Sequence, residues 1–333
     1  MPENTDLLLV PLPKEDLALS ASDLEKLSQL FLAALAKRVE ARELSTATLD
    51  AYRRGIGKFI AWKSRKDSRP AKPGDSGQDE FTLWKIDLFE QKLQPATINV
   101  WLAGVKALFA WAFAAHYLPY NPAANVRTAK RTHSREHKRE NLTAEEVRRL
   151  LAMPDSTTAQ GKRDLAILSL MLRTGLRGIS VHLADVQDLY NKQGQLRLRY
   201  QGKGRFEKAE SVTITDGIVV KARTALYEWL SVREGPRRGP LFVSLSNRSR
   251  NGRLSLRSLH ELVMGYIDQA GIPGRKTTHS LRHTAITRAV HDGVPLQRVM
   301  NFAGHADPAT TMIYFHEEQD ARDPVESHID YSD

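Results

Sequence analysis

The sequence contains no cysteine. Disulfides, thiolate zinc sites and cysteine nucleophiles are therefore excluded together. The chain also starts without the basic and apolar segments that mark a secretory signal. Its longest near-continuous apolar runs, 109–115 and 165–172, fall well short of the ~18 residues that cross a membrane. These absences predict a cytoplasmic protein with no membrane partner.

Several catalytic motifs are missing as well. The sequence has no phosphate-binding P-loop, no GxGxxG fingerprint and no GxSxG nucleophile motif. His279 and His283 are four residues apart, a spacing that could place two metal ligands on one helix face. The zinc-protease pattern, however, needs Glu directly after the first His, and Ser280 stands there. We therefore expect no metal and no other cofactor, and keep a metal hydrolase as an alternative that sensitivity to EDTA would reveal.

What the sequence does contain is an excess of basic residues. Its 333 residues carry 49 Lys and Arg against 39 Asp and Glu, a net charge of +10. The hydrophobic content of 41% is close to the ~45–50% of ordinary soluble folds, so the chain can bury a substantial core. At ~150 residues per domain, this length predicts two domains. The positive charge favours a polyanionic partner, usually nucleic acid, although a solubilising excess of charge would give the same composition.

The charge is densest in residues 127–140, which follow the helix-breaking pair Asn121-Pro122. This segment contains six basic and two acidic side chains, a net charge of 6 − 2 = +4, and no apolar periodicity. It predicts an exposed linker between a domain at 1–126 and a second domain at 141–333. The linker is either solvated or lies along DNA phosphates. In the second case its basic residues bind DNA, namely Arg127, Lys130, Arg131, Arg135, Lys138 and Arg139.

Apolar periodicity predicts that the first domain is helical. The first helix is expected to start at a capping box formed by Ser22 and Glu25. A second helix begins near Ser45, a third covers 81–93, and Pro95 starts a fourth.

The second domain is expected to combine helices with two short strands, and 241–244 is a further short strand or extended stretch. It opens with a capping box at Thr143 and Glu146. Alternating residues predict antiparallel strands at 195–200 and 209–214, joined through a GKG turn. The predicted fold class is therefore mainly α with a small antiparallel β-sheet. Helices are expected at 163–172, 218–232, 255–270, 284–292 and 296–303.

Six polar residues stand where purely structural residues would be unusual. Arg177 follows an apolar helix and a glycine, and Lys203 is at the tip of the predicted hairpin. Singly, each has a structural explanation, since a helix-end arginine bonds carbonyls, a hairpin lysine is solvated, and a lone histidine or tyrosine packs in a core. The full set is Arg177, Lys203, His279, Arg282, His305 and Tyr314.

Together these residue types suit metal-free chemistry on a phosphodiester. Two arginines can hold its non-bridging oxygens as planar forks. Histidines can donate hydrogen bonds or shuttle protons, and a lysine can supply a proton to a leaving hydroxyl. A tyrosine hydroxyl can attack phosphorus and form a covalent link. Clustered positive groups stabilise the pentacoordinate phosphate.

The set resembles the tyrosine recombinase family, the relatives of lambda integrase and the Xer recombinases. Its order of Arg, Lys, His-x-x-Arg, His and Tyr is the family's order, and the nine residues from His305 to Tyr314 match the family's spacing. The resemblance covers essentially the whole chain, because the helices with TLDAYRRGIGKFIAW and PATINVWLAGVKALFAWA resemble the family's core-binding domain. The matching motifs are TGLR at 174–177, GKG at 202–204, HSLRHT at 279–284 and GH at 304–305.

The resemblance implies a role for each residue. Arg177 and Arg282 would grip the scissile phosphate, His279 would assist proton transfer, and His305 would hydrogen-bond the phosphate. Tyr314 would attack and form a 3′-phosphotyrosyl bond.

Lys203 would protonate the 5′ oxygen that leaves. The bond energy stays in the phosphotyrosine, so neither ATP nor a metal is implied. The free 5′ hydroxyl of a partner strand then reverses the attack. Residues 316–333 form an acidic tail. It is either a frayed terminus or a docking segment, since in the family the segment beyond the nucleophile often docks on a neighbouring protomer.

The resemblance also implies an architecture and partners. The fold would be a two-domain C-shaped clamp, with a helical core-binding domain and a catalytic domain, around a double-stranded DNA site. Strand exchange would proceed through a four-way junction in a homotetramer of two dimers, with accessory DNA-bending proteins as candidate partners. The protein would then be associated with the nucleoid.

One residue departs from the family pattern. An acidic residue usually lies three positions after the first arginine and supports neighbouring groups, but here Ser180 stands at that offset from Arg177. No reacting group is lost by this change. Tyr331 is a rival nucleophile, but it lies in an acidic tail and outside the family register.

Three alternatives accompany the recombinase hypothesis. The first is a catalytically silent DNA-binding protein on the same fold, which should have lost reacting residues. The second is a related topoisomerase or telomere-resolving enzyme, which the short first domain disfavours. The third is the metal hydrolase. The sequence leaves open whether a recombinase would integrate and excise an element, resolve dimers or invert a segment.

Overall fold

The computed structural model describes residues 19–67, 80–130, 141–202, 205–305 and 307–323, together with residue 327. The chain divides into two compact units, Met1–Ser134 and Arg135–Asp333. The boundary falls inside the segment that the sequence predicts as a linker, of which residues 131–140 lie outside the described part. Lys203 and Tyr331 also lie outside it.

The first unit is helical in its described residues. Its core contains a cluster of aromatic rings, in which the centroid of Phe59 lies 5.0 Å from that of Trp84 and 5.4 Å from that of Phe81. The described helices are α1 (Ala21–Glu40), α2 (Thr46–Asp67), α3 (Glu80–Glu90) and α4 (Pro95–Ala114).

Helix α1 starts two residues earlier than its sequence predicts, with Ser20 rather than Ser22 at the N-cap. The Ser20 hydroxyl accepts a hydrogen bond from the amide of Asp23, and the Asp23 carboxylate accepts one from the amide of Ser20. This capping box replaces the one expected at Ser22 and Glu25, because Ser20 and Asp23 have the same spacing and likewise supply a hydroxyl and a carboxylate as acceptors. The apolar stripe of the helix is unchanged.

Helix α4 is the one described helix that is long and apolar enough to cross a membrane by length and composition, with a mean hydropathy of 1.4 over 18 residues. The run-length criterion does not select this helix, because threonine, asparagine, glycine and lysine interrupt its apolar residues. The helix packs closely on α2, where an added methyl on Gly104 would lie 2.8 Å from the Tyr52 Cα. Its buried face, which belongs to the core of the first unit, consists of Ile98, Leu102, Gly104, Val105, Leu108, Phe109 and Ala112.

The second unit surrounds α6 with further helices and a small sheet. Helix α6 is buried along most of its length, and Gly175 ends it with a φ of 61°. The described elements are α5 (Ala144–Ala152), α6 (Ala159–Thr174), α7 (Gly178–Leu183), β1 (Leu189–Lys192), β2 (Gln195–Tyr200), β3 (Glu210–Thr213), α8 (Ala222–Val232), α9 (Leu256–Gln269), α10 (Thr278–His291), α11 (Leu296–Ala303) and α12 (Pro308–Arg322).

The predicted fold class, mainly α with a small antiparallel sheet, is confirmed. The three strands are ordered β1-β2-β3, and the register pairs Leu198 with Val212 and Tyr200 with Glu210. Strand β1 was not expected, because its four residues LYNK lack the alternation that marks β2. The capping box at Thr143 and Glu146 is present.

Two further helices differ from their predicted extents. Helix α10 begins at Thr278 rather than 284, because the Ser280 hydroxyl accepts a hydrogen bond from the Thr277 amide and so caps the helix ahead of the HSLRHT motif. Helix α12 runs through the start of the predicted acidic tail. Its buried contacts come from Thr311 and Tyr314 rather than from an apolar stripe, so periodicity alone does not reveal it.

Candidate active site

The end of α6 positions the first arginine. Gly175 turns the chain in the left-handed region, where a glycine has no steric penalty, and Arg177 follows at the N-cap position of α7. The Arg177 side chain is half-buried. No hydrogen bond of its guanidinium is found among the residues that the structure describes. Its five donors are therefore available to an anion.

The second arginine is buried and held at several points. Arg282 on α10 is 7% exposed. Its Nη1 donates to the Gly175 carbonyl at 2.6 Å, and its Nη2 donates to the Ala303 carbonyl. Burial and the neighbouring Arg177 charge lower the pKa of Arg282 to about 10. The guanidinium thus stays charged at neutral pH and ties α10 to the ends of α6 and α11.

His305 lies beside this guanidinium. Its Nε2 is 3.2 Å from Arg282 Nη2, and its Nδ1 is 2.9 Å from Thr311 Oγ1. Burial, then the charges of Arg282 and Arg177, lower the pKa of His305 to about 4. The imidazole is therefore neutral at pH 7. Because Nε2 faces a donor, it accepts from Arg282, and Nδ1–H donates to Thr311.

The tyrosine lies on α12 and is nearly enclosed. Tyr314 is 5% exposed and packs in an apolar cluster with Ile286 and Val299. Its hydroxyl is 2.5 Å from Nδ1 of His283 on α10, and the two rings are 5.5 Å apart. An unprotonated Nδ1 accepts a hydrogen bond from this hydroxyl. His283 is therefore in place to receive the phenol proton.

Sequence reasoning missed this role of His283. The signal was present in HSLRHT, but the second histidine was weighed only as a metal ligand with His279. In the structure His279 is exposed on the first turn of α10, whereas His283 is half-buried against Tyr314. Which of two histidines faces a tyrosine depends on how α10 and α12 pack, and spacing alone does not determine that.

Four of the six predicted catalytic residues are brought into one region of the second unit. Arg177 and Tyr314 both act electrostatically on Arg282, and His305 contacts Arg282 directly. His279 shares the helix of Arg282. Lys203 lies outside the described residues.

The predicted DNA-binding residues are only partly described. Arg127 and Lys130 are exposed at the end of the first unit. Arg127 also lines a cavity of about 330 Å³ with Lys85 and Tyr120. The remaining members of the predicted set, Arg131, Arg135, Lys138 and Arg139, lie outside the described residues.

Ser180 is buried at the position where the family usually has an acid. It is 3% exposed, and its hydroxyl donates to the Gln201 carbonyl at 3.1 Å. The serine therefore fastens the start of the β2–β3 connection through a neutral hydrogen bond.

The sequence pattern of the phage integrase family matches residues 140–320. The chain belongs to this family. It is 31% identical to tyrosine recombinase XerC of Haemophilus ducreyi over 227 residues, which cover 68% of this chain and 70% of XerC. The predicted membership of the tyrosine recombinases is thereby confirmed.

Two further proteins are similar over more of the chain. A tyrosine recombinase of Synechococcus elongatus is 29% identical over 303 residues, covering 86% of this chain and 89% of that protein. The XerH site-specific recombinase, in a post-cleavage complex with a palindromic substrate, has a TM-score of 0.67 at 20% identity and covers 93% of this chain and 85% of XerH. At that identity the XerH comparison shows a shared fold.

Proposed function

We propose that this chain is a site-specific DNA recombinase that works through a covalent 3′-phosphotyrosyl intermediate. The observation that carries the proposal is the contact between the Tyr314 hydroxyl and His283 beside the Arg282–His305 pair. A nucleophile, a proton acceptor and an anion-binding group thus lie together in one site. The XerH relative, captured on its substrate after cleavage, supports a DNA strand as the substrate class.

The arginines would bind the scissile phosphate. Arg177 has its donors available, and Arg282 is fixed by carbonyl contacts before any substrate arrives. Preorganised donors stabilise the charge that develops on the pentacoordinate phosphate without reorganising during the reaction. The neutral imidazole of His305 orients Arg282 through its Nε2.

Cleavage would transfer the phosphorus from the 5′ oxygen to Tyr314. The Tyr314 oxygen bonds to phosphorus while its proton passes to Nδ1 of His283, and the bond from phosphorus to the 5′ oxygen breaks. Lys203 supplies the proton to that oxygen, as the family resemblance implies. Rejoining is the reverse reaction, with the 5′ hydroxyl of a partner strand as the nucleophile. His279 would assist this proton transfer, as the family resemblance implies.

We further propose that the chain acts as a homotetramer of two dimers on double-stranded DNA and is associated with the nucleoid. The segment 127–140 would contact phosphates, with Arg127 and Lys130 as its described members. Each phosphate neutralised by Lys or Arg releases counterions, so binding would weaken steeply with salt. Integration and excision, or resolution of DNA, are the reactions that this assembly would perform.

A recombination assay tests the proposal. A plasmid would carry two direct repeats of a site selected from the DNA that flanks the gene, and the reaction would contain EDTA and no ATP. The proposal predicts two smaller circles with the wild-type protein. Tight, site-specific binding without recombinant circles or cleaved strands would favour the silent DNA-binding protein. Activity that requires a divalent metal would favour the hydrolase.

A further inference from the structure

The Glu210 carboxylate lies where strands β2 and β3 meet the connection that contains Lys203. The antiparallel register places Glu210, the first residue of β3, opposite Tyr200, the last residue of β2. Tyr200 is 9% exposed, and burial, together with the neighbouring Glu210 carboxylate, raises the pKa of its hydroxyl to about 12. Arg205 Nε contacts the same carboxylate at 3.3 Å. Glu210 is thus paired with Arg205 of its own hairpin and lies beside Tyr200.

Two glycines locate the Glu210 carboxylate within the site. A methyl group added to Gly202 would lie 2.1 Å from Oε1, so the carboxylate occupies the space beside that glycine. A methyl group added to Gly304 would lie 3.7 Å from Oε2 and 3.8 Å from Nη1 of Arg177. The carboxylate and the Arg177 guanidinium therefore flank the same glycine, which directly precedes His305.

The positive charges near Glu210 indicate what its carboxylate does. Arg177 and Arg282 carry like charges, and each also interacts with Tyr200. Before a phosphate binds, two neighbouring guanidinium groups repel each other, and an anion nearby reduces that repulsion. Ser180 is neutral, and its hydroxyl donates a hydrogen bond to the Gln201 carbonyl. The negative charge at this end of the site comes from β3.

We propose that Glu210 is a positioning residue for strand cleavage. Its carboxylate keeps Arg177 directed toward the phosphate site, and its contact with Gly202 fixes the residue that directly precedes Lys203. In this chain β3 thereby supplies the acid that the segment after Arg177 lacks. The inference rests on the proposed function, because it concerns the rate of the proposed cleavage.

Three variants separate this role from a structural one. Glu210→Gln keeps the shape of the side chain and removes its charge. Gly202→Ala keeps the charge but displaces the carboxylate, and it is tolerable for folding because the atom in its way is the end of a flexible side chain. Glu207→Gln is the matched control, since Glu207 is exposed on the same connection. Each would be compared with wild type on a nicked suicide DNA substrate.

The measurements are the dissociation constant for the uncleaved DNA and the single-turnover rate of covalent adduct formation. We expect Glu210→Gln and Gly202→Ala to bind DNA within about twofold of wild type, with thermal unfolding midpoints near that of wild type. We expect the cleavage rate to fall roughly 10- to 100-fold, because small misplacements of catalytic groups cost about that much. The control should cleave at the wild-type rate.

The inference is overturned if Glu210→Gln cleaves bound DNA as fast as wild type. It is also overturned if Glu210→Gln unfolds early and Gly202→Ala, with the carboxylate displaced, cleaves normally. A wild-type protein that binds the DNA but forms no adduct would instead contradict the proposed function itself. The two failures are therefore distinguishable in one experiment.

Discussion

At the scale of single residues, the site is defined by which donors are engaged and which are open. Arg282 is buried and bonded to two carbonyls, whereas Arg177 is half-buried and has no hydrogen bond within the described part of the chain. Tyr314 and His283 form the reactive pair. The residue types were predictable from motif order, but the partner of Tyr314 and the position of Glu210 depend on packing and strand register.

Replacing Arg282 by Lys should abolish most cleavage. A lysine has the charge but not the planar fork, so it cannot reach the Gly175 and Ala303 carbonyls and the phosphate together. Loss of a preorganised donor of this kind typically costs about 100- to 1,000-fold in rate. Arg288→Lys on the same helix is the control, because Arg288 is exposed and bonds only Asp292 among the described residues. Equal single-turnover rates for the two variants would refute this assignment.

Replacing His283 by Phe should slow cleavage while leaving DNA binding intact. The ring is retained, but the acceptor for the Tyr314 proton is lost, and general-base groups contribute about 100-fold or more. The single-turnover rate would be measured on DNA with a 5′-phosphorothiolate leaving group, which needs no protonation, so that the attack step is isolated. His316→Phe, exposed on α12, is the control. An unchanged rate in the His283 variant would mean that another group takes the proton.

His305 should make the stability of the fold sensitive to acid. Its pKa is about 4 in the folded protein against 6.5 for the free side chain, so the unfolded chain binds more protons between these values. The free energy of unfolding should therefore decrease as the pH falls from about 6.5 toward about 4. Urea denaturation at pH 7 and pH 5 measures this difference. In His305→Asn the loss of unfolding free energy between pH 7 and pH 5 should be smaller. An equal loss in the variant and the wild type would contradict the account.

At the scale of elements, helix ends do the positioning. The end of α6 presents Arg177, the end of α11 presents His305, and the bond from the Thr277 amide to the Ser280 hydroxyl starts α10 ahead of HSLRHT. Long amphipathic helices and β2 were predictable, because burial on one face leaves a period in the sequence. Strand β1 and helix α12 were not, because four half-exposed residues and a charged helix held by Thr311 and Tyr314 leave no such period.

Gly175 should be intolerant of a side chain. Its φ of 61° disfavours any L-residue by about 1–2 kcal/mol, and an added methyl would meet the Phe302 ring at 3.1 Å. Gly175→Ala should lower the free energy of unfolding by about that amount and reduce cleavage, because Arg177 is two residues away. Gly265→Ala in α9 is the control, since nothing lies within 4 Å of the added methyl and alanine favours a helix. Urea denaturation should show opposite signs for the two variants.

At the scale of the whole molecule, each unit has its own hydrophobic core, and the active-site residues described here belong to the second unit. The family pattern likewise matches residues 140–320. The chain divides into compact units at Ser134 and Arg135, and the domain bounds 1–126 and 141–333 stay predictions. Three features stay predictions: the C-shaped arrangement of the two units, the DNA contacts of the linker, and the tetramer. They depend on partners and on charge, and the apolar periodicity of a sequence encodes neither.

Covalent trapping tests the central claim most directly. Wild-type protein and Tyr314→Phe would be incubated with nicked suicide DNA in EDTA, denatured and run on a gel, and the adduct would be digested and mapped by mass spectrometry. We predict an adduct with wild type alone, attached through the Tyr314 oxygen to a 3′ phosphate. An adduct on Tyr331, an adduct with Tyr314→Phe, or no adduct on tightly bound DNA would contradict the account.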